Sequence, residues 1–207
     1  MRAAMKPMNW RTFLLLAVLG SQAGCLGGGG ATTRYYLIDP LGVPEAAASG
    51  QPLAVEIMDL DVPQYLERFH IATRDADNGL HYSEYNQWGE TLRKNLLRTL
   101  AINLGRQLGT SDVATPLNRS LTAPDIRVKV HVDRFERGAD GIVYLDARWQ
   151  VSSVRSGDVS ATQSANLAGD VTVGESDFDA MVSTMRRLFG DLSARIAASI
   201  RTEAEAG

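Results

Sequence analysis

The chain has 207 residues, 21 Lys and Arg against 24 Asp and Glu, and a single cysteine. One cysteine excludes an internal disulfide, and the charge balance argues against nucleic acid as a partner. The first 24 residues hold three of the basic side chains and none of the acidic ones, so the remainder carries 18 against 24, a net charge of −6.

The amino-terminal stretch has the layout of a secretory signal. Arg2, Lys6 and Arg11 give a basic region, Phe13 to Leu19 an apolar one, and Gly20, Ser21, Ala23 and Gly24 lead to Cys25. The apolar run is too short for the roughly 20 residues that span a bilayer. Ala23-Gly24-Cys25 resembles the lipobox of bacterial lipoproteins, in which the cysteine thiol is acylated and becomes the new amino terminus, with Gln22 where that motif usually carries Leu. An ordinary cleavage near Ala23 that leaves Cys25 unmodified is the alternative. Acylation would matter because two or more chains anchor a protein stably, each buried methylene contributing about 0.8 kcal/mol. The expected organisation is a signal over 1–24, a lipidated Cys25 with a glycine-rich tether over 25–33, and a single domain over 34–207.

Along that domain, Arg34 to Pro40 reads as a first strand, Val43 to Gly50 as a loop, and Leu53 to Leu60 as a central strand apolar on both faces. Phe69–Arg74 and Gly79–Tyr82 flank Asn78-Gly79, a hairpin turn signal. Ser83 is placed to cap a helix in which Tyr85, Trp88, Leu92, Leu96, Leu100 and Leu104 form one apolar stripe, ending at Gly105 or Gly109. Pro116 and Pro124 bracket a loop.

Three strands follow. In 126–132 the residues Ile126, Val128, Val130 and Val132 share a face, with Phe135 out of phase, which predicts a bulge. In 142–151 the face is Val143, Leu145, Ala147, Trp149 and Val151. In 159–173 it is Val159, Ala161, Ala165, Leu167, Val171 and Val173. The turns 138–141 and 156–158 make these an antiparallel meander. A last helix, with Ser176 and Asp179 as a capping box, buries Phe178, Met181, Val182, Met185, Leu188, Leu192, Ile196 and Ile200. The fold expected is α+β, a largely antiparallel sheet with two main helices packed on one face.

No catalytic constellation is legible, and no cofactor or metal is expected. His70 and His81 lie on either side of the hairpin and could face each other, but two histidines make a weak zinc site. Asp59 and Asp61 read as solvated acids at a strand end beside Pro63. The glycine run lacks the Gly-Lys-Ser/Thr of a phosphate loop. Val62 to Arg68 carries more. Tyr65, Leu66 and Arg68 sit on a connection, either as local packing or as a docking surface, since Tyr and Arg are frequent interface anchors. Trp88 reads as core.

A lipobox, Tyr35-Tyr36-Leu37, Val62-Pro63-Gln64-Tyr65-Leu66-Glu67-Arg68, the strand end Arg74, and Tyr82-Ser83-Glu84 leading to Trp88 occur in that order. Together they resemble the PqiC/YmbA family of auxiliary lipoproteins of ABC-type transport systems. Gln64, Phe69 and His70 depart from the Pro-Glu-Tyr-Leu-Asp-Arg-Pro-Gln usual there. The resemblance implies a non-enzymatic lipoprotein of the outer membrane facing the periplasm. It implies a docking role for a periplasm-spanning MCE-domain (PqiB-like) protein, lipid transport, support of membrane integrity, and a possible homo-oligomeric ring. The alternative is a periplasmic lipoprotein that itself holds a lipid or small hydrophobic ligand between helices and sheet.

Overall fold

The computed structural model describes residues 32–42, 53–120, 122–157 and 159–206. The signal, Cys25, the tether up to residue 31 and the stretch Val43–Gly50 lie outside the described residues. The elements are β1 (Arg34–Tyr36), β2 (Val55–Asp61), a 3-10 turn (Gln64–Leu66), β3 (His70–Arg74), β4 (Leu80–Trp88), α1 (Leu92–Leu108), β5 (Val113–Ala114), β6 (Ile126–Arg137), β7 (Val143–Ser153), β8 (Gln163–Ala168) and α2 (Phe178–Ala206).

Strand β6 organises the sheet. One edge pairs antiparallel with β7 along its whole length, from Ile126↔Ser153 to Arg137↔Val143, and β8 continues the meander. Its other edge is shared. The parallel strand β2 covers the first half, from Val55↔Ile126 to Asp61↔His131, and β3 meets the far end at Thr73↔Arg137. Residues 62–69 therefore bridge two strands that follow one another along one neighbour. β4 returns antiparallel to β3, β1 joins β4 in parallel, and β5 flanks β2. Antiparallel pairing supplies most of the register, in the expected α+β plan, although every join to β2 is parallel.

The apolar alternation sets which face is dry. Ile126, Val128, Val130 and Val132 of β6 and Val143, Leu145, Ala147, Trp149 and Val151 of β7 are all buried. The register shifts between Val132 and Arg134, the bulge that the out-of-phase Phe135 predicted, and Phe135 thereby stays on the dry side. Its ring stacks on Phe189 of α2 at 6.2 Å and 28°. Leu92, Leu96, Leu100 and Leu104 of α1 and Leu192, Ile196 and Ile200 of α2 complete the layer, each with no exposed surface. α1 stops at Gly109, whose φ of 65° is the left-handed conformation that glycine adopts without a Cβ penalty.

Three expectations need correction. Residues 83–88 are strand, not helix, and α1 begins only after Thr91. Ser83 does make a cap-like contact: its Oγ accepts from the backbone N of Asn86 at 3.1 Å and from the Asn86 side chain at 2.8 Å. The contact closes a bulge in β4, where the register jumps from Ala72↔Tyr82 to His70↔Gln87. The third meander strand is shorter than read, Gln163–Ala168, and Val159 and Val171 are exposed. At the start of α2 the capping carboxylate is Asp177, which accepts from the Ala180 N–H at 3.0 Å; Ser176 lies one residue too early.

Candidate functional site

Pro63 ends the β2 run and starts a tight turn: Leu66 N–H donates to the Pro63 carbonyl at 2.9 Å, and Glu67 N–H to Gln64 at 3.2 Å. The turn sends its side chains apart. Leu66 is 3% exposed and belongs to the core, the local-packing alternative for that residue. Tyr65 is half-buried and its hydroxyl donates to Glu136 Oε2. Arg68 is exposed, with its guanidinium 4.7 Å above the Tyr82 ring, while the Tyr82 hydroxyl donates to the Tyr65 carbonyl at 3.3 Å. Phe69 beside it is 53% exposed, and its carbonyl accepts from Trp88 N–H at 2.6 Å.

Beneath this turn lies the group that the sequence reading missed. Glu136 is wholly buried in a strand that otherwise alternates apolar and polar. The bulge places Phe135 toward α2, so its neighbour Glu136 turns to the opposite face, under the 62–69 connection. Its carboxylate accepts from Arg74 Nε at 2.5 Å and from Tyr65, and Arg134 Nε lies 3.4 Å from the same Oε1. That last pair is ionic only: Arg134 Nε is buried without a hydrogen-bond partner, and the guanidinium sits 4.0 Å over the Tyr144 ring. A buried carboxylate with this many cationic neighbours is held by charge as well as by hydrogen bonds. Burial first, and the hydrogen bond to Glu136 second, push the Tyr65 hydroxyl well above its ordinary range. The Glu136 hydrogen bond likewise raises Arg74. The out-of-phase Phe135 was the available signal, since correcting the register at the bulge turns Glu136 inward.

The remaining candidates are ordinary surface chemistry. His81 sits opposite Thr73 and His70 opposite Gln87, so the two histidines do not face each other. Asp59 is held by Arg93 at 2.5 Å and accepts from Leu60 N–H at 2.9 Å. Among the described residues no group of three His, Cys, Asp or Glu could hold a metal ion. Trp88 is core, 3% exposed, as read. The layer between helices and sheet, where a lipid was the alternative expectation, is filled by side chains of the core. Among the described residues no helix is long and apolar enough to cross a membrane.

The fold and sequence match known proteins. One solved structure, of an uncharacterized protein, is 22% identical with a TM-score of 0.67, covering 82% of this chain and 99% of its own. Another, a Xanthomonas campestris protein of the DUF330 family, is 12% identical with a TM-score of 0.68, covering 84% and 98%. At such identities the likeness is one of fold. No curated protein matches the sequence. The family model for ABC-type transport auxiliary lipoprotein components matches residues 35–197. That span holds α1, most of the packed face of α2, the whole sheet but for Arg34, and the Tyr65–Glu136 cluster, and the chain therefore belongs to the ABC-type transport auxiliary lipoproteins, the PqiC/YmbA-like family.

Proposed function

We propose that the protein is an outer-membrane lipoprotein, anchored by acyl chains on Cys25, that docks a periplasm-spanning MCE-type protein of a lipid transport system and so supports membrane integrity. The family match over residues 35–197 carries this reading. The net charge of −6 on the part after residue 24 supports it, because an acidic body gains nothing from anionic lipid head groups and is better attached by acyl chains.

The docking surface is the edge around Arg68 and Phe69, with Tyr65 and Leu66 as its supports. Tyr65 is tied to Glu136 and Leu66 is packed in the core, so the turn between them is fixed from below. A rigid turn holding a cation on an aromatic ring beside an exposed phenylalanine is the kind of preorganised anchor that binds with little ordering cost. Self-association into a ring through an open sheet edge belongs to the same reading.

Two measurements test it. Palmitate labelling and envelope fractionation of Cys25→Ser should show loss of label and of membrane association, and unchanged association would end the anchor. Capture of the MCE protein from solubilised envelopes should fall at least tenfold for the double variant Arg68→Ala with Phe69→Ala. Normal capture by that folded variant would remove this edge from the interface.

A further inference from the structure

The outer face of α1 carries a feature that the docking role does not use. Lys94, Arg98, Ile102 and Arg106 recur every four residues, which places them in one row along about 18 Å of helix. Opposite this row run Thr110 to Asn118, and between the two lies a groove of about 550 Å³. That size is ordinary for a small-molecule site. Its floor is small: Ala101 and Gly105, where an added Cβ would stand 2.9 Å from the Thr110 carbonyl oxygen. Its walls mix polar side chains with apolar ones, among which Ile102 is 39% and Leu117 51% exposed.

Charge decides which occupant fits. Among the described residues no carboxylate lines the groove, although the body around it is acidic and Glu90 pairs with Arg98. The cations are not equivalent. Arg106 Nη1 donates to the Leu41 carbonyl at 2.6 Å, and Arg98 is held by Glu90. Lys94 is exposed and makes no ion pair among the described residues. One end of the groove thus presents the Lys94 ammonium, unpaired among the described residues, beside the Arg98–Glu90 pair, and the apolar side chains Ile102 and Leu117 lie beyond it.

We infer that this groove binds a single-chain anionic amphiphile, its head group at Lys94 and its acyl chain along Ala101, Ile102 and Leu117. The ligand is recognised by an anion joined to one hydrocarbon chain, either a fatty-acid carboxylate or a lysophospholipid phosphate. This goes beyond the docking role and uses none of its residues.

The test uses the full chain carrying Cys25→Ser, so that no acyl chain of its own competes, with dansyl-undecanoic acid as fluorescent probe below its micelle concentration. Saturable binding of one probe per chain is expected. Displacement by palmitate, by lysophosphatidylglycerol or by both supports the site and tells which head group it takes. Inorganic phosphate and an uncharged monoacylglycerol should compete at least tenfold more weakly. Lys94→Glu and Ile102→Asp, both on exposed side chains, should each weaken the probe at least tenfold without lowering the melting temperature. Absence of saturable binding, competition by phosphate alone as strong as by palmitate, or parent-like affinity in both variants would overturn the inference. Capture of the MCE protein by the same variants should be unchanged, so that failure of the groove and failure of the docking role are read separately.

Discussion

The hydroxyl of Tyr65 donates to the carboxylate of Glu136, 71 residues away and closed off from solvent. The bond joins the turn that carries the proposed docking edge to the end of the central strand, and Arg74 closes the triangle at 2.5 Å. Glu136→Gln keeps the shape and still accepts from Tyr65, but it leaves Arg74 and the buried Nε of Arg134 without a counter-charge. Breaking a buried ion pair from one side costs about 3 kcal/mol or more. At about 2–4 °C per kcal/mol for a chain of this size, the melting temperature should fall by roughly 6–12 °C. Thermal unfolding followed by circular dichroism checks this, and a variant melting within a degree or two of the parent would show that the carboxylate does not hold the turn.

The same contact gives a pH dependence on the alkaline side. Burial and Glu136 raise the Tyr65 hydroxyl above its ordinary 10, so the folded chain keeps a proton that the unfolded chain releases. Above pH 10 the unfolded state therefore binds fewer protons, and stability falls as pH rises. Below pH 10 both states hold the proton and no slope arises from this group. Tyr36, Tyr85 and Tyr144 are shifted the same way, so Tyr65→Phe should remove only a share of the slope. Urea midpoints between pH 8 and 11 for the parent and the variant measure that share.

Much of this architecture is legible in the sequence because period and phase survive without tertiary information. The β6 and β7 faces, the Asn78 turn and both helical stripes follow from local alternation, and Phe135 even announces its bulge. Ser83 misleads for a physical reason. A serine hydroxyl accepting an N–H three residues on is the same local bond at a helix start and at a strand bulge, and only the partner strand decides between them. Trp88 was correctly read as core inside an element of the wrong type, since a stripe spaced by threes and fours also accommodates the last residue of a preceding strand. Glu136 was hidden because its burial depends on Tyr65 and Arg74, which are distant in sequence and arrive only with the fold. Arg68 was visible as an exposed cation, but its seat on Tyr82 requires the β3–β4 pairing.

Asn95 on α1 is the second buried polar anchor, and it fixes the chain that leaves β1. Its Oδ1 accepts from Ile38 N–H at 2.7 Å and its Nδ2 donates to the Ile38 carbonyl at 3.3 Å, while Thr99 Oγ1 donates to that carbonyl at 2.6 Å. Asn95→Ala leaves the Ile38 amide buried and unpaired, whereas the carbonyl keeps Thr99. The unmet donor should cost about 2 kcal/mol. Thr99→Ala should cost less, because the Ile38 carbonyl retains Asn95. Chemical denaturation of the two variants checks the order, and equal losses would contradict it.

Leu41 and Gly190 show how closely that same segment lies on α2. A Cβ added at Gly190 would stand 2.0 Å from Leu41 Cδ1 and 2.8 Å from its Cγ, too near for a rotation of the leucine tip alone to relieve. Gly190 is helical and fully enclosed, so its cost in helix propensity, about 1 kcal/mol relative to alanine, is accepted in return for this contact. Gly190→Ala should therefore destabilise by about 1–3 kcal/mol through overpacking, against the direction that propensity alone predicts. The double variant with Leu41→Ala removes the obstruction and should recover part of the loss, since the alanine in the helix is then favourable. A double-mutant cycle on urea midpoints reads the coupling directly, and additive losses would mean that Leu41 does not rest against Gly190 in solution.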